Sequence, residues 1–247
     1  MVLVVFALPE ESREFRRAIR AVREPWSGWR GDIAPSWRGN CADLAVRVAH
    51  CGVGPVAAAH AAERLLAEDL PDFVVIAGFA GALAPHLATG DVVLGESVSD
   101  PALLQHMLKI GFAASPYVFV GALVSVPLPV ETVAAKAALA AQGGLAVDME
   151  TAEFSRACRA AGVPVVAVRA ISDRADEPLP VPFAVWFDIA RQRPRVLALL
   201  AFLLVHPRRI PAFARFVRGL RPARRRLSLF LRVWLNAKGM EQWRRHP

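Results

Sequence analysis

Residues 145–173 read LAVDMETAEFSRACRAAGVPVVAVRAISD. The first four, 145–148, form a short strand that is apolar until Asp148. A helical pattern follows over 151–161, in which Phe154, Ala157, Cys158 and Ala161 share one face. A second apolar run, 163–171, leads into Ser172 and Asp173. Strand, helix and strand, with the strands apolar on both sides, is the pattern of a mostly parallel sheet covered by helices. Both strands also end in acids. Asp148 and Glu150 flank Met149 at the first, and Asp173 closes the second. Ligands of open α/β sheets bind beyond the carboxyl ends of strands, so the same 29 residues suggest a fold and a site.

The pattern extends in both directions. Residues 1–8 read as a buried strand and 10–22 as a helix, with Glu10 and Glu11 in its first turn, where the helix dipole favours acids. Residues 43–50 alternate as a strand. They run into Gly52-Val53-Gly54-Pro55 and an Ala-rich helix over 56–68. Residues 72–77 form another buried strand, expected to end in a small-residue loop, Gly78-Phe79-Ala80-Gly81. Strands are expected from residue 90 and over 117–125, and a helix over 130–142. The fold class is α/β, a mostly parallel or mixed central sheet with helices on both faces. Five strand ends carry acids or glycines, all expected at one edge of the sheet.

Composition narrows the function. Of 247 residues, 55% are hydrophobic, enough for a sizeable core. Three cysteines lack metal-ligand spacing and leave an odd one in any pairing, which suggests a reducing compartment without disulfides. The six histidines form no HxxxH or HExxH pattern. GVGP lacks the third glycine of a dinucleotide fingerprint, and neither GK[ST] nor GxSxG occurs. No metal or cofactor is expected. The start lacks the basic region and cleavage site of a signal peptide. No stretch reaches the ~18–20 apolar residues of a membrane span.

The net charge of +8 is unevenly distributed. Residues 1–190 carry 15 basic and 21 acidic residues, whereas residues 191–247 carry 15 basic residues and one acid, Glu241. The charge divides the chain near residue 190 into an enzyme-like domain, 1–190, and a basic, amphipathic helical tail, 191–247.

Four stretches together resemble one family. They are VVFALPEE (4–11), GVGPVAAAHAAE (52–63), VVIAGFAGALAPHLATGDVV (74–93) and AVDMETAEFSRACRAAGVPVVAVRAISDRAD (146–176). They resemble the purine nucleoside phosphorylase and methylthioadenosine/S-adenosylhomocysteine nucleosidase superfamily over roughly residues 1–177. DMET, DEPLP (176–180) and the Arg-rich tail are similar to its hopanoid-associated branch, implicated in removing adenine from adenosylhopane.

The resemblance implies roles. Asp173 matches the general acid that protonates N7 of a purine, and Ser172 would steady it. Glu150 matches the acid that grips the ribose hydroxyls beside the developing oxocarbenium ion. Met149 would lie against the sugar, and Asp148 would cap the following helix. Glu11 matches the carboxylate that activates water. Leu8, Val53 and Phe79 would wall the nucleoside, with Ala80 and Gly81 beside it. The middle loop carries no arginine, and Phe79 stands where a small hydroxyl residue is common in the nucleosidases. Water is therefore expected as nucleophile, with Arg13 or Arg47, in the same chain or across a subunit boundary, as the remaining candidate phosphate ligands. A phosphate-dependent phosphorylase and a methylthioadenosine/S-adenosylhomocysteine nucleosidase are the alternatives within this chemistry. A nucleoside-binding membrane-surface protein is the non-enzymatic one.

The tail interleaves arginine with Leu, Phe, Val and Trp, which phosphates alone would not require. It is therefore read as a face for an anionic membrane surface and not as a nucleic-acid arm, with packing of its helices on the enzyme domain or on a partner subunit as the alternative. Its longest apolar run, 196–205, is half the length of a span. The resemblance further implies a cytoplasmic enzyme at the inner face of the membrane, a lipid-linked nucleoside substrate and a homo-oligomer.

Overall fold

The computed structural model describes residues 1–24, 36–114 and 117–237. Strands β1 (Val2–Phe6), β4 (Leu44–His50), β5 (Phe73–Ala82) and β9 (Val165–Asp173) form the parallel centre of a nine-stranded sheet. β2 (Val22–Arg23) and β3 (Trp37–Cys41) extend it antiparallel beyond β4. On the other side β5 also pairs antiparallel with β8 (Gly144–Asp148). β8 continues through β7 (Val118–Ser125) to β6 (Val92–Gly95), and β6 returns to β9. Because β5 pairs with both β8 and β9, these five strands close into a ring. The sheet is thus mixed, with helices α1 (Pro9–Ala18), α2 (Pro55–Glu68), α3 (Pro101–Ala114), α4 (Val133–Ala140) and α5 (Thr151–Ala160) around it.

Residues 78–81 are not a loop. Gly78-Phe79-Ala80-Gly81 continue β5, in parallel register with β9 as far as Gly81 opposite Asp173, and with Gly81 and Ala82 opposite Val147 and Ala146 of β8. Two nonlocal partners overrule the low strand propensity of Gly and Ala. Their small size has a purpose here. A Cβ at Gly78 would collide with the Arg169 guanidinium and crowd the Glu11 carboxylate, and one at Gly81 would stand 3.2 Å from Asp173 Oδ2. α3 was not part of the sequence reading, and α1 ends at Ala18 instead of continuing to residue 22.

One cluster, with Ala58, Ala61, Leu65, Phe154 and Cys158, packs α2 and α5 on Leu3, Val5, Val74 and Ile76. The opposite cluster joins Val2, Val4, Phe73, Val166, Leu103 and Met107 to the C-terminal helix. Cys41, Cys51 and Cys158 are buried free thiols.

The charge boundary near residue 190 is not a packing boundary. After α6 (Phe183–Trp186), β10 (Phe187–Asp188) and β11 (Arg193–Pro194) come α7 (Val196–Val205) and α8 (Ile210–Leu235). In α8, Ala223, Leu227, Phe230, Leu231, Trp234 and Leu235 are buried in the main core at helical spacing. Trp234 meets the Phe73 ring edge-on at 5.6 Å. α7 differs: none of its residues is buried, and Leu197, Leu204 and Val205 are 83%, 81% and 73% exposed. It meets the following helical segment at a bend of 107°. Among the described residues no single helix is long and apolar enough to cross a membrane. Residues 238–247 of the tail lie outside the described residues.

Candidate active site

The strand ends converge on one cavity of about 310 Å³. All ten residues expected there line it: Leu8, Glu11, Val53, Phe79, Ala80, Gly81, Met149, Glu150, Ser172 and Asp173. They arrive from β1, the turn after β4, the second half of β5, the end of β8 and the end of β9. The carboxylates follow β1, β8 and β9, which therefore deliver them at the same edge.

Glu11 enters on the first turn of α1. Its Oε2 accepts hydrogen bonds from the N–H groups of Ala7 (2.9 Å) and Leu8 (3.0 Å), and Oε1 accepts from Phe79 (3.0 Å). Burial pushes its pKa up. The Arg169 charge and the three N–H groups pull it back, and the net shift is upward.

Glu150 is also buried. Its Oε1 accepts from the Gly54 N–H at 2.9 Å, and Oε2 lies 3.5 Å from Arg169 Nη2. Gly54 holds φ at +92°, a left-handed conformation that a side chain would disfavour, and this turns its N–H toward the carboxylate. The GVGP turn is therefore part of the site. Gln192 clamps it: Val53 N–H donates to Gln192 Oε1 (2.7 Å), and Gln192 Nε2 donates to the Val53 carbonyl (2.9 Å). Burial is the main cause that raises the Glu150 pKa to about 7. Arg169 opposes it, and the neighbouring Asp148 adds to it.

Asp148 accepts from the Thr151 N–H at the start of α5 (3.3 Å), as a cap should. It does more than cap. Its Oδ2 lies 2.5 Å from Arg169 Nη2, and its Oδ1 accepts from Ser125 Oγ at 2.5 Å. Arg169, 1% exposed, was missed in the sequence although one signal was present: an arginine inside the run VPVVAVRAI needs acids to be buried. Burial works against its charge, but Asp148, Glu150 and Glu11 outweigh that and raise its pKa.

Asp173 sits apart from this cluster in its bonding. Oδ1 accepts from Ser172 Oγ (2.6 Å), and Oδ2 accepts from Lys136 Nζ (2.5 Å). Ser172 Oγ also lies 3.1 Å from the Ala80 carbonyl. Lys136 was not singled out in the sequence either, since a lone lysine in an Ala-rich helix reads as solvated.

Apart from Glu10, the remaining lining is apolar. Val126, Pro129 and Val130 follow β7, Leu179 belongs to DEPLP, Phe183 and Trp186 to α6, and Phe216 and Leu220 to the first half of α8. No arginine or lysine is among the described lining residues. Arg47 instead pairs with Glu24 and Glu68 (3.3 and 2.6 Å), and Arg13 lines a separate arginine-rich groove, so neither is placed to hold a phosphate in the cavity of its own chain.

The model of the phosphorylase superfamily matches residues 2–100 and 95–203. Among curated proteins, the 5′-methylthioadenosine/S-adenosylhomocysteine nucleosidase of Shewanella baltica strain OS185 is 28% identical over 197 residues, 68% of this chain and 84% of that protein. Among solved structures, the nucleosidase of the same name from S. pneumoniae, with a transition-state inhibitor, has a TM-score of 0.71 at 19% identity, covering 96% of this chain and 98% of that one. Futalosine hydrolase of Helicobacter pylori has a TM-score of 0.71 at 17% identity, covering 95% and 97%. The chain therefore belongs to the phosphorylase superfamily and is an enzyme of its nucleosidase and phosphorylase kind.

Proposed function

We propose that this enzyme hydrolyses the N-glycosidic bond of an adenine nucleoside whose 5′ substituent is apolar. The observation that carries the reading is the meeting of Glu11, Glu150 and Asp173 in one cavity whose lining, apart from these three and Glu10, Asp148 and Ser172, is apolar. In this reading Asp173 gives its proton to N7 of the base as the C1′–N9 bond breaks and its electron pair moves to the purine. Glu150 holds the ribose hydroxyls, and its negative charge lies near the cationic sugar. Glu11 takes a proton from the water whose oxygen bonds to C1′. Water is preferred to phosphate because the described lining holds no cation to bind an anion. The test is product analysis with 5′-alkyl adenine nucleosides. Adenine and the free ribosyl compound should appear at the same rate with and without phosphate. A ribose 1-phosphate product that requires phosphate would establish a phosphorylase instead.

The finer proposal is a lipid-linked substrate, of the adenosylhopane kind that the resemblance implies, met at the cytoplasmic face of an anionic membrane. Two observations support it. The cavity walls from α6 and α8 are apolar, with Phe183, Trp186, Phe216 and Leu220. α7 also exposes its apolar side chains between Arg191, Arg193 and Arg195 on one side and Arg208 and Arg209 on the other. Truncation near residue 190 would remove part of the core, so point variants are the appropriate test. Leu197→Asp with Leu204→Asp should abolish sedimentation with anionic liposomes while leaving turnover of a soluble 5′-alkyl nucleoside unchanged. If the wild-type chain stays in the supernatant at low salt, the membrane reading fails. A dimer that the two substitutions dissociate would identify a second copy of the chain as the partner of α7.

A further inference from the structure

α4 has one buried residue, and it is a lysine. Lys136 is 1% exposed. Its Nζ has three acceptors, Asp173 Oδ2 at 2.5 Å, the Arg174 carbonyl at 2.6 Å and the Glu177 carbonyl at 2.8 Å. An ammonium has three N–H donors and no acceptor, so this set uses all of them and leaves none unpaired. Burying a charge is costly unless it is paired and hydrogen-bonded. A methionine or leucine would have filled the same space without that cost.

We propose that Lys136 is a positioning residue for Asp173, one that acts on proton delivery and not on substrate binding; the proposal rests on Asp173 being the proton donor. Lys136 is not among the residues that line the cavity. It holds Oδ2, which leaves Oδ1, bridged to Ser172 Oγ, as the oxygen that carries and releases the proton. As Asp173 gives that proton to the base, the carboxylate left behind gains its charge against an ammonium already in place. The serine accommodates both states. Its hydroxyl donates to the Ala80 carbonyl while Asp173 Oδ1 is protonated, and turns to Oδ1 once the proton has gone. No proton leaves Lys136, and the ammonium is unchanged through the cycle.

Lys136 also ties the catalytic strand to the cavity wall. The carbonyls it holds, of Arg174 and Glu177, belong to the segment that continues to Leu179 and Phe183. Glu131, just before α4, binds the same segment: Leu179 N–H donates to its carbonyl (2.9 Å) and Phe183 N–H to its Oε1 (2.7 Å).

The test compares leaving groups. An adenine nucleoside needs a proton on its base to depart, whereas a 4-nitrophenyl riboside leaves as a stable anion without one. Lys136→Met and Lys136→Gln should each lower kcat on the adenine nucleoside about 10-fold or more, within the range of general acid catalysis, with KM little changed. On the nitrophenyl riboside they should lose far less. In an Asp173→Asn background, Lys136→Met should cost nothing further, because the group it serves is gone. Equal losses on both substrates, a change confined to KM, or additive losses in the double variant would overturn the proposal. If neither single variant folds, the double variant, in which both charges of the pair are removed, carries the comparison with Asp173→Asn on the same criterion. Failure of the underlying reading is separate and visible: Asp173→Asn alone would then keep more than about a tenth of adenine release.

Discussion

The two ends of the cavity bury charge differently. At the end that the proposed function gives to the ribose, one cation, Arg169, is shared: Asp148 lies at 2.5 Å, Glu150 at 3.5 Å, and Glu11 is near enough for the arginine charge to lower its pKa. At the end that the proposed function gives to the base, Lys136 makes its ion pair with Asp173, and the carbonyls of Arg174 and Glu177 take its other hydrogen bonds. The first arrangement sets three carboxylates on one cation, and burial, with Asp148 adding to it, pushes Glu150 up to about 7. The second is balanced. In the proposed reading, three carboxylates on one cation suit a sugar that becomes cationic, whereas a matched pair suits a group that must part with a proton at a fixed place. The comparison thus separates two uses of buried carboxylates within one pocket.

The base end gives the largest expected effect. Asp173→Asn should lower kcat on an adenine nucleoside by about 10²–10⁴-fold while leaving the fold intact, since the amide keeps the shape and loses the proton. Steady-state kinetics and a thermal melt check both parts. More than about a tenth of wild-type turnover would remove the distinction between the two ends.

Arg169→Met attacks the shared cation and should act first on stability. It leaves Asp148 and Glu150 buried without their partner, a loss of about 3–5 kcal/mol, or about 2–4 °C of Tm per kcal/mol in a chain of this size. Differential scanning calorimetry at neutral pH reads it. A drop no larger than that of a surface substitution would mean that the acids are solvated rather than held by Arg169.

The smallest effect is a pH dependence at the ribose end. Glu150 must be ionised to oppose a sugar cation, so kcat/KM should fall as pH drops below about 7. In stability the sign reverses. The folded-state pKa lies above the ordinary 4.5, so the contribution of protonated Glu150 is fully present below pH 4.5 and is lost as pH rises to about 7. Wild-type Tm should therefore decline over that window relative to Glu150→Gln, and run parallel to it above. A Tm gap that does not change with pH would place the Glu150 carboxylate in water.

The sequence made the strand ends legible because each is a local signal. A strand ending in DME or SD and a GVGP turn before an Ala-rich helix are readable without knowing what they pack against. The residues that complete the site are set by distant partners. Arg169 pairs across to Asp148 and Glu150, and Lys136 reaches Asp173 from 37 positions away. Gly78–Gly81 read as a loop because the strands that make them sheet lie far along the chain. Leu179, Phe183, Trp186, Phe216 and Leu220 carried no signal of their own beyond being apolar. In the tail, composition alone is uninformative: apolar residues and arginines fill both halves of α8, and only the spacing of Ala223, Leu227, Phe230, Leu231 and Trp234 distinguishes a face for the core.

That last helix also sets the order in which the molecule can be completed. Leu231 and Trp234 share a cluster with Val2 and Val4 of the first strand, so one core joins the earliest and latest described parts of the chain. During synthesis the N-terminal strands emerge first, yet the apolar face they form stays uncovered until residue 235 has followed. Phe216 and Leu220 arrive on the same helix and finish the cavity wall. A nascent chain therefore gains its last core layer and its complete binding cavity together, and an interrupted one exposes a sticky surface while lacking activity.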